Sequence, residues 1–174
     1  MSKFLVMILA LLTVIESTQA QILPVAKHSF EKLTWGQLPD SVQIVLGQKK
    51  MVELTLPTTG PFSELSSKVR CYQYEDTLLA HVFFIMLAFN QSDSKLIAIT
   101  LTGGRSEMKK KESDFGNLWD DLKNYFGKPV AEKSIPLVGE SLEWRSGSTK
   151  VMMMRFSLMG NSLSLNFSPL GESK

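Results

Sequence analysis

Apolar positions recur along this chain at two spacings, and the spacings alternate in order. Between Pro39 and Gly47, Val42, Val45 and Leu46 stand at i, i+3 and i+4, the pattern of one helix face. Pro39 suits the first helical position, where its missing N–H would have no partner. Asp40 suits the positive end of the helix dipole, and Gly47 supplies a left-handed stop. Strand candidates follow. Met51–Leu56 is ended by Pro57, Gly60 and Pro61, and Val69–Glu75 carries Tyr72 and Tyr74. Leu78–Phe89 is rich in aromatic and β-branched residues and reads as a strand covered on both faces. Asn90–Ser94 is turn chemistry, and Lys95–Thr102 returns as the partner strand.

The order then repeats. Ser113 and Asp114 offer an N-cap. Phe115, Leu118, Trp119, Leu122 and Tyr125 or Phe126 form one apolar stripe, with Asp120, Asp121 and Lys123 opposite. Gly127 stops this helix and Pro129 follows, as after a C-cap. Leu142–Arg145, with Trp144, is a short strand, and Ser146-Gly147-Ser148 turns the chain. Thr149–Phe156 is a strand predicted to put Met152, Met154 and Phe156 on the core face and Val151 and Met153 outward. After Met159-Gly160-Asn161, the segment Ser162–Ser168 alternates Leu163, Leu165 and Phe167 with Ser162, Ser164 and Asn166, the mark of one wet and one buried face. The expected fold class is α+β: two tandem helix-then-strands repeats, at about 33–102 and 113–168, with an extra strand near Met51. They should form one curved antiparallel sheet with both helices on one face, in a single domain spanning 21–174.

The N-terminus alters the picture of where this domain works. Lys3 precedes an uncharged run, Phe4–Ile15, and Ser17-Thr18-Gln19-Ala20 has small residues at −3 and −1 of a cleavage point. This is the layout of a secretory signal over residues 1–20. A spanning helix needs about 20 apolar residues, and Glu16 ends the run earlier. The expected location is periplasmic or secreted, with no membrane span in the mature chain. Charge is nearly balanced, 19 Lys+Arg against 17 Asp+Glu, so nothing favours nucleic acid as a partner. Lys109-Lys110-Lys111 is bracketed by Glu107 and Glu112 and reads as a solvated loop. Cys71 is the single cysteine, lies in a strand candidate and is expected to be a buried, inert thiol.

Several residues together carry a resemblance. Trp35-Gly36, Val42 and Leu46-Gly47, then Tyr125-Phe126-Gly127-Lys128-Pro129, Trp144 and Thr149–Met153, resemble the folding motifs of small exported bacterial proteins. Their layout is similar to the tandem α-β repeats of the β-lactamase-inhibitor-protein fold. Over one repeat it is similar to the small outer-membrane-assembly lipoprotein domain. The resemblance covers most of the mature chain and implies architecture; among such proteins some inhibit enzymes and some support envelope assembly. Leu38 departs from the Ser or Thr N-cap of the pattern, and no lipid-bearing Cys follows the cleavage point.

No residue is assigned a catalytic, cofactor-binding or metal-ligating role. His28 and His81 with Cys71 lack zinc-site spacing. Ser146 and Ser148 lack a recognisable base and acid. Glu75-Asp76 and Asp120-Asp121 are sequence neighbours, which point apart on a strand or helix. Met152, Met153, Met154 and Met159 could offer thioethers to Cu(I), although core packing explains them better. The expectation is a non-catalytic envelope protein that binds another envelope protein on its open sheet face, with a homo-oligomer as a further form. The alternative is a carrier of a small apolar ligand in a pocket lined by Trp35, Tyr72, Tyr74, Trp119 and Trp144.

Overall fold

A computed structural model describes residues 28–56, 59, 63–103, 112–136, 139–156 and 162–171. The expected signal segment and the Lys109–Lys111 cluster lie outside the described residues. The chain is a mixed α/β protein built on one antiparallel sheet of 8 strands. These are β1 (Val52–Leu54), β2 (Val69–Leu78), β3 (His81–Asn90) and β4 (Leu96–Gly103), then β5 (Ala131–Ile135), β6 (Gly139–Ser146), β7 (Thr149–Phe156) and β8 (Ser162–Pro169). Their order across the sheet is β1-β2-β3-β4-β8-β7-β6-β5. Two helices, α1 (Pro39–Leu46) and α2 (Glu112–Phe126), each precede four strands in the chain. Helical turns stand at Ser29–Lys32 and Ser63–Ser66.

One side-chain parity builds the core. Phe83, Ile85 and Leu87 of β3, Ile99 and Leu101 of β4, Leu165 and Phe167 of β8, and Val151 and Met153 of β7 are buried in one continuous cluster. Val42 and Leu46 of α1 and Leu118, Trp119 and Leu122 of α2 belong to the same cluster. The helical spacings read from sequence therefore select the residues that lose water. α1 begins with Pro39 at its first turn and ends at Gly47, whose φ of 64° suits glycine.

Three expectations are corrected, and two parts of the fold were not expected. α2 already starts at Glu112, so Ser113 and Asp114 lie inside it rather than capping it. The apolar run Leu78–Phe89 is not one strand: β2 ends at Leu78 and a two-residue turn, Leu79-Ala80, leads into β3. The first unexpected part is β5, Ala131–Ile135, which pairs with β6 although its residues carry little β signal. In β7 the facing is inverted: Val151 and Met153 are fully buried, whereas Met152 and Met154 lie on the opposite face. Pairing decides this, because Met153 sits between Leu142 and Leu165, both core residues. The second unexpected part is the segment at 28–34, which no helix or strand spacing marks, yet Phe30, Glu31, Leu33 and Thr34 are all buried.

The Leu79-Ala80 turn predicts a stabilising change. Both residues have positive φ, 51° and 63°, the geometry that Asn-Gly adopts at least cost. A non-glycine residue there costs roughly 1–2 kcal/mol. Leu79 packs against the core, but Ala80 is exposed. Ala80→Gly should raise stability by about 0.5–1 kcal/mol, after glycine's larger unfolded-state entropy is counted. A urea midpoint no higher than wild type would contradict this.

Candidate functional site

The sheet face of the other parity is built from two apolar stripes and a polar spine. β3 contributes Val82, Phe84, Met86 and Ala88, and β7 contributes Met152, Met154 and Phe156; all are half-buried. Between them run β4 and β8, with Thr100, Thr102, Ser164 and Asn166. Register places Met86, Thr100, Asn166 and Met152 in one row. Phe84, Thr102, Ser164 and Met154 form the next row. Thr100 Oγ1 donates to Asn166 Oδ1 at 3.0 Å, and Asn166 Nδ2 donates to Ser164 Oγ at 3.1 Å. Three of the four spine side chains are therefore tied to one another, which pre-orders this surface.

Charge gathers at one edge of this face. Glu143 of β6 accepts from Arg145 Nε at 3.1 Å and pairs with Lys150 Nζ at 3.1 Å. The hydrogen bond from Lys150, then that from Arg145, holds the Glu143 carboxyl below its ordinary range. Two cations around one carboxylate leave that edge positive. Cys71 shares this parity, opposite Ala88, and is buried, as expected; burial pushes its thiol pKa up.

The facing of β7 gives a chemical prediction. Thioether oxidation follows exposure. In the dilute free protein, hydrogen peroxide should convert Met152 and Met154 to sulfoxides before Met153, as read by peptide mass spectrometry. Equal or earlier oxidation of Met153 would contradict the assigned facing.

On the core side, the segment at 28–35 is a strap fastened by polar contacts. Glu31 is fully buried; its carboxylate accepts from the His28 amide at 2.9 Å and from the Tyr125 hydroxyl at 2.6 Å. Burial, then the hydrogen bond to Glu31, pushes the Tyr125 phenol well above its usual value. Ser29 Oγ donates to Asp76 Oδ2, and Lys49 forms an ion pair with Asp76. Trp35 Nε1 donates to the buried Thr149 Oγ1 at 3.0 Å, tying the strap to β7. Sequence reasoning missed this network, since its partners lie as many as 114 residues apart; a buried acidic residue beside Phe30 and Leu33 has no local signature.

Asp76 makes part of this strap sensitive to acid. Burial pushes its carboxyl up, but hydrogen bonds from Lys49, Ser29 and the Thr77 amide outweigh burial and hold it below the usual value. A depressed carboxylate contributes stability above its unfolded pKa and loses it as pH falls through the folded one. Asp76→Asn should therefore flatten the acid limb of the stability curve below about pH 4. An unchanged limb would contradict the assignment.

The residues weighed for chemistry do not come together. His28 stacks on Phe30 at 6.1 Å, and His81 opens β3 opposite Leu78. Among the described residues no group of three or more His, Cys, Asp or Glu is placed to hold a metal ion. Of the aromatics expected around a ligand, Tyr74, Trp119 and Trp144 are buried in the packed cluster, and Tyr72 is half-buried, edge-on to Phe89. A surface cleft of about 340 Å³ lies beside α2, with Trp119 and Leu142 among walls of Lys123, Glu132, Lys133 and Glu140. Its lining is largely polar and charged, unlike that of an apolar-ligand pocket. No helix among the described residues is long and apolar enough to cross a membrane.

Comparison with protein-family models, with curated proteins and with solved structures found no match.

Proposed function

We propose that this chain is an exported, non-catalytic protein-binding module of the cell envelope, and that it docks its partner on the open face of the sheet. The observation that carries this reading is the arrangement of Phe84, Met86, Met152 and Met154 around an internally hydrogen-bonded polar spine. Apolar stripes on a rigid sheet favour protein contact, and methionine adapts its shape to a partner. The Lys3–Ala20 pattern supports export to the periplasm or beyond.

The same reading takes the chain as two tandem repeats, each a helix followed by four strands, meeting where β4 pairs with β8. The mirrored strand order supports it. Both helices contribute to the cluster formed by a single strand parity, which supports placing them on one face. The likeness to the β-lactamase-inhibitor-protein fold rests on this layout and on the sequence motifs.

Native mass spectrometry of protein recovered gently from its own envelope tests the proposal. Wild type and Ile44→Glu, altered on an exposed position of α1, should carry a stoichiometric protein adduct. Phe84→Glu and Met152→Glu should lack it while keeping wild-type circular dichroism. An adduct indifferent to both open-face variants would refute docking at this site.

A further inference from the structure

The two apolar stripes are matched to each other, which narrows the occupant of the open face. We infer that the partner is a second copy of this chain, stacked face to face about a two-fold axis parallel to the strands. This rests on the docking reading and deepens it. Such an axis, running between β4 and β8, carries β3 over β7 and β2 over β6 of the other copy. Residues in one register row then meet. Phe84 of each copy faces Met154 of the other, and Met86 faces Met152. Thr100 faces Asn166, so polar spine lies over polar spine. Apolar therefore covers apolar and polar covers polar in the two central rows, without a shift of register; in the row beyond Met86, Ala88 faces Lys150 of the other copy.

Charge follows the same rule. On this face the β2 side carries exposed Glu75, in the row of Phe84. The far side carries Lys133 in the continuation of that row, through Ser141 and Met154. The two-fold brings Glu75 toward Lys133 of the other copy. The strap is already committed elsewhere: Phe30 and Leu33 are buried in the core cluster with Phe167, on the opposite parity. It is therefore not the cover for this face. The area also suffices. Leaving out β2, where Cys71 is already covered, the five strands β3, β4, β8, β7 and β6, spaced ~4.8 Å apart with about seven residues each at ~3.3 Å, present roughly 550 Å². Over both copies that is about 1,100 Å², above the roughly 1,000 Å² that a biological interface should clear. Stacked sheets tolerate a crossing of about 30°, which keeps these rows in contact near the axis.

Sedimentation equilibrium of the full exported chain, over about 1–100 μM, tests self-pairing. Wild type should approach twice the monomer mass. Phe84→Glu and Met152→Glu should each raise the dissociation constant at least about tenfold, while Ile44→Glu leaves it unchanged. Glu75→Lys should weaken the dimer and added Lys133→Glu should restore it, a rescue that a folding defect would not show. A dimer insensitive to both open-face variants would overturn the inference, as would a wild-type monomer throughout the range. A wild-type monomer whose open face is nonetheless protected inside the envelope overturns self-pairing alone and leaves docking of a different protein standing. A monomer with no such protection overturns both.

Discussion

Gly139→Ala is expected to unfold most of the protein. Gly139 opens β6 with φ of 146°, a conformation that side-chain-bearing residues rarely adopt. A Cβ built there would stand 1.7 Å from the Arg155 carbonyl oxygen and 2.8 Å from its carbon. These are backbone atoms of β7, held by the pairing of Gly139 with Phe156. Gly139 also pairs with Ile135 of β5, so retreat in the other direction would break a second ladder. With no soft neighbour, the cost should exceed about 4 kcal/mol, in the rare tail of single substitutions. Against a typical total of about 5–15 kcal/mol, that leaves little folded protein. Gly171→Ala is the control: nothing lies within 4 Å of its added carbon, and its effect should stay within about 0.5 kcal/mol. Urea unfolding with a near-wild-type midpoint for Gly139→Ala would show that β6 does not enter the sheet as described.

Trp144→Ala should cost roughly 3–5 kcal/mol, the range for truncating a large buried aromatic. Trp144 is 4% exposed, and its ring meets Phe126 at 5.4 Å between centroids. Its Nε1–H donates to the Gly127 carbonyl at 2.8 Å, just past the end of α2. One side chain thus joins β6 to the helix stop, where Gly127 turns away with φ of 76°. Trp144→Phe separates the two contributions. It keeps most of the packing and removes the hydrogen bond, so it should cost about 1–2 kcal/mol. Equal losses for both variants would mean that the hydrogen bond, rather than the ring, holds this junction.

The legible parts of the fold are those where apolar and polar residues alternate cleanly. β8 could be read directly, because Leu163, Leu165 and Phe167 are separated by serine and asparagine, and all three are buried. α1 and α2 follow from their 3.6-residue spacing, and Val42, Leu46, Leu118, Trp119 and Leu122 are the residues they bury. β7 was ambiguous, because Val151 to Phe156 is apolar at both parities apart from Arg155. Only the strands beside it decide which methionines face the core. The turn at Leu79-Ala80 was hidden because its residues are apolar and lack the usual turn chemistry. β5 was hidden for the opposite reason: Glu132, Lys133 and Ser134 suit an edge strand but not a strand signal. For the candidate site, apolar residues at both parities of Leu78–Phe89 pointed to a face in need of cover. The matching stripe on β7 became visible only once Met152 and Met154 were placed on that same face.

Hydroxyl-radical footprinting inside the intact envelope, compared with the dilute purified chain, addresses the open face most directly. Met86, Met152, Met154 and Phe84 should be labelled in the dilute protein and protected in the envelope, while exposed Ile44 on α1 is labelled equally in both. Protection confined to these open-face residues is the predicted result. Equal labelling of the open face in both settings would contradict a docking role for it.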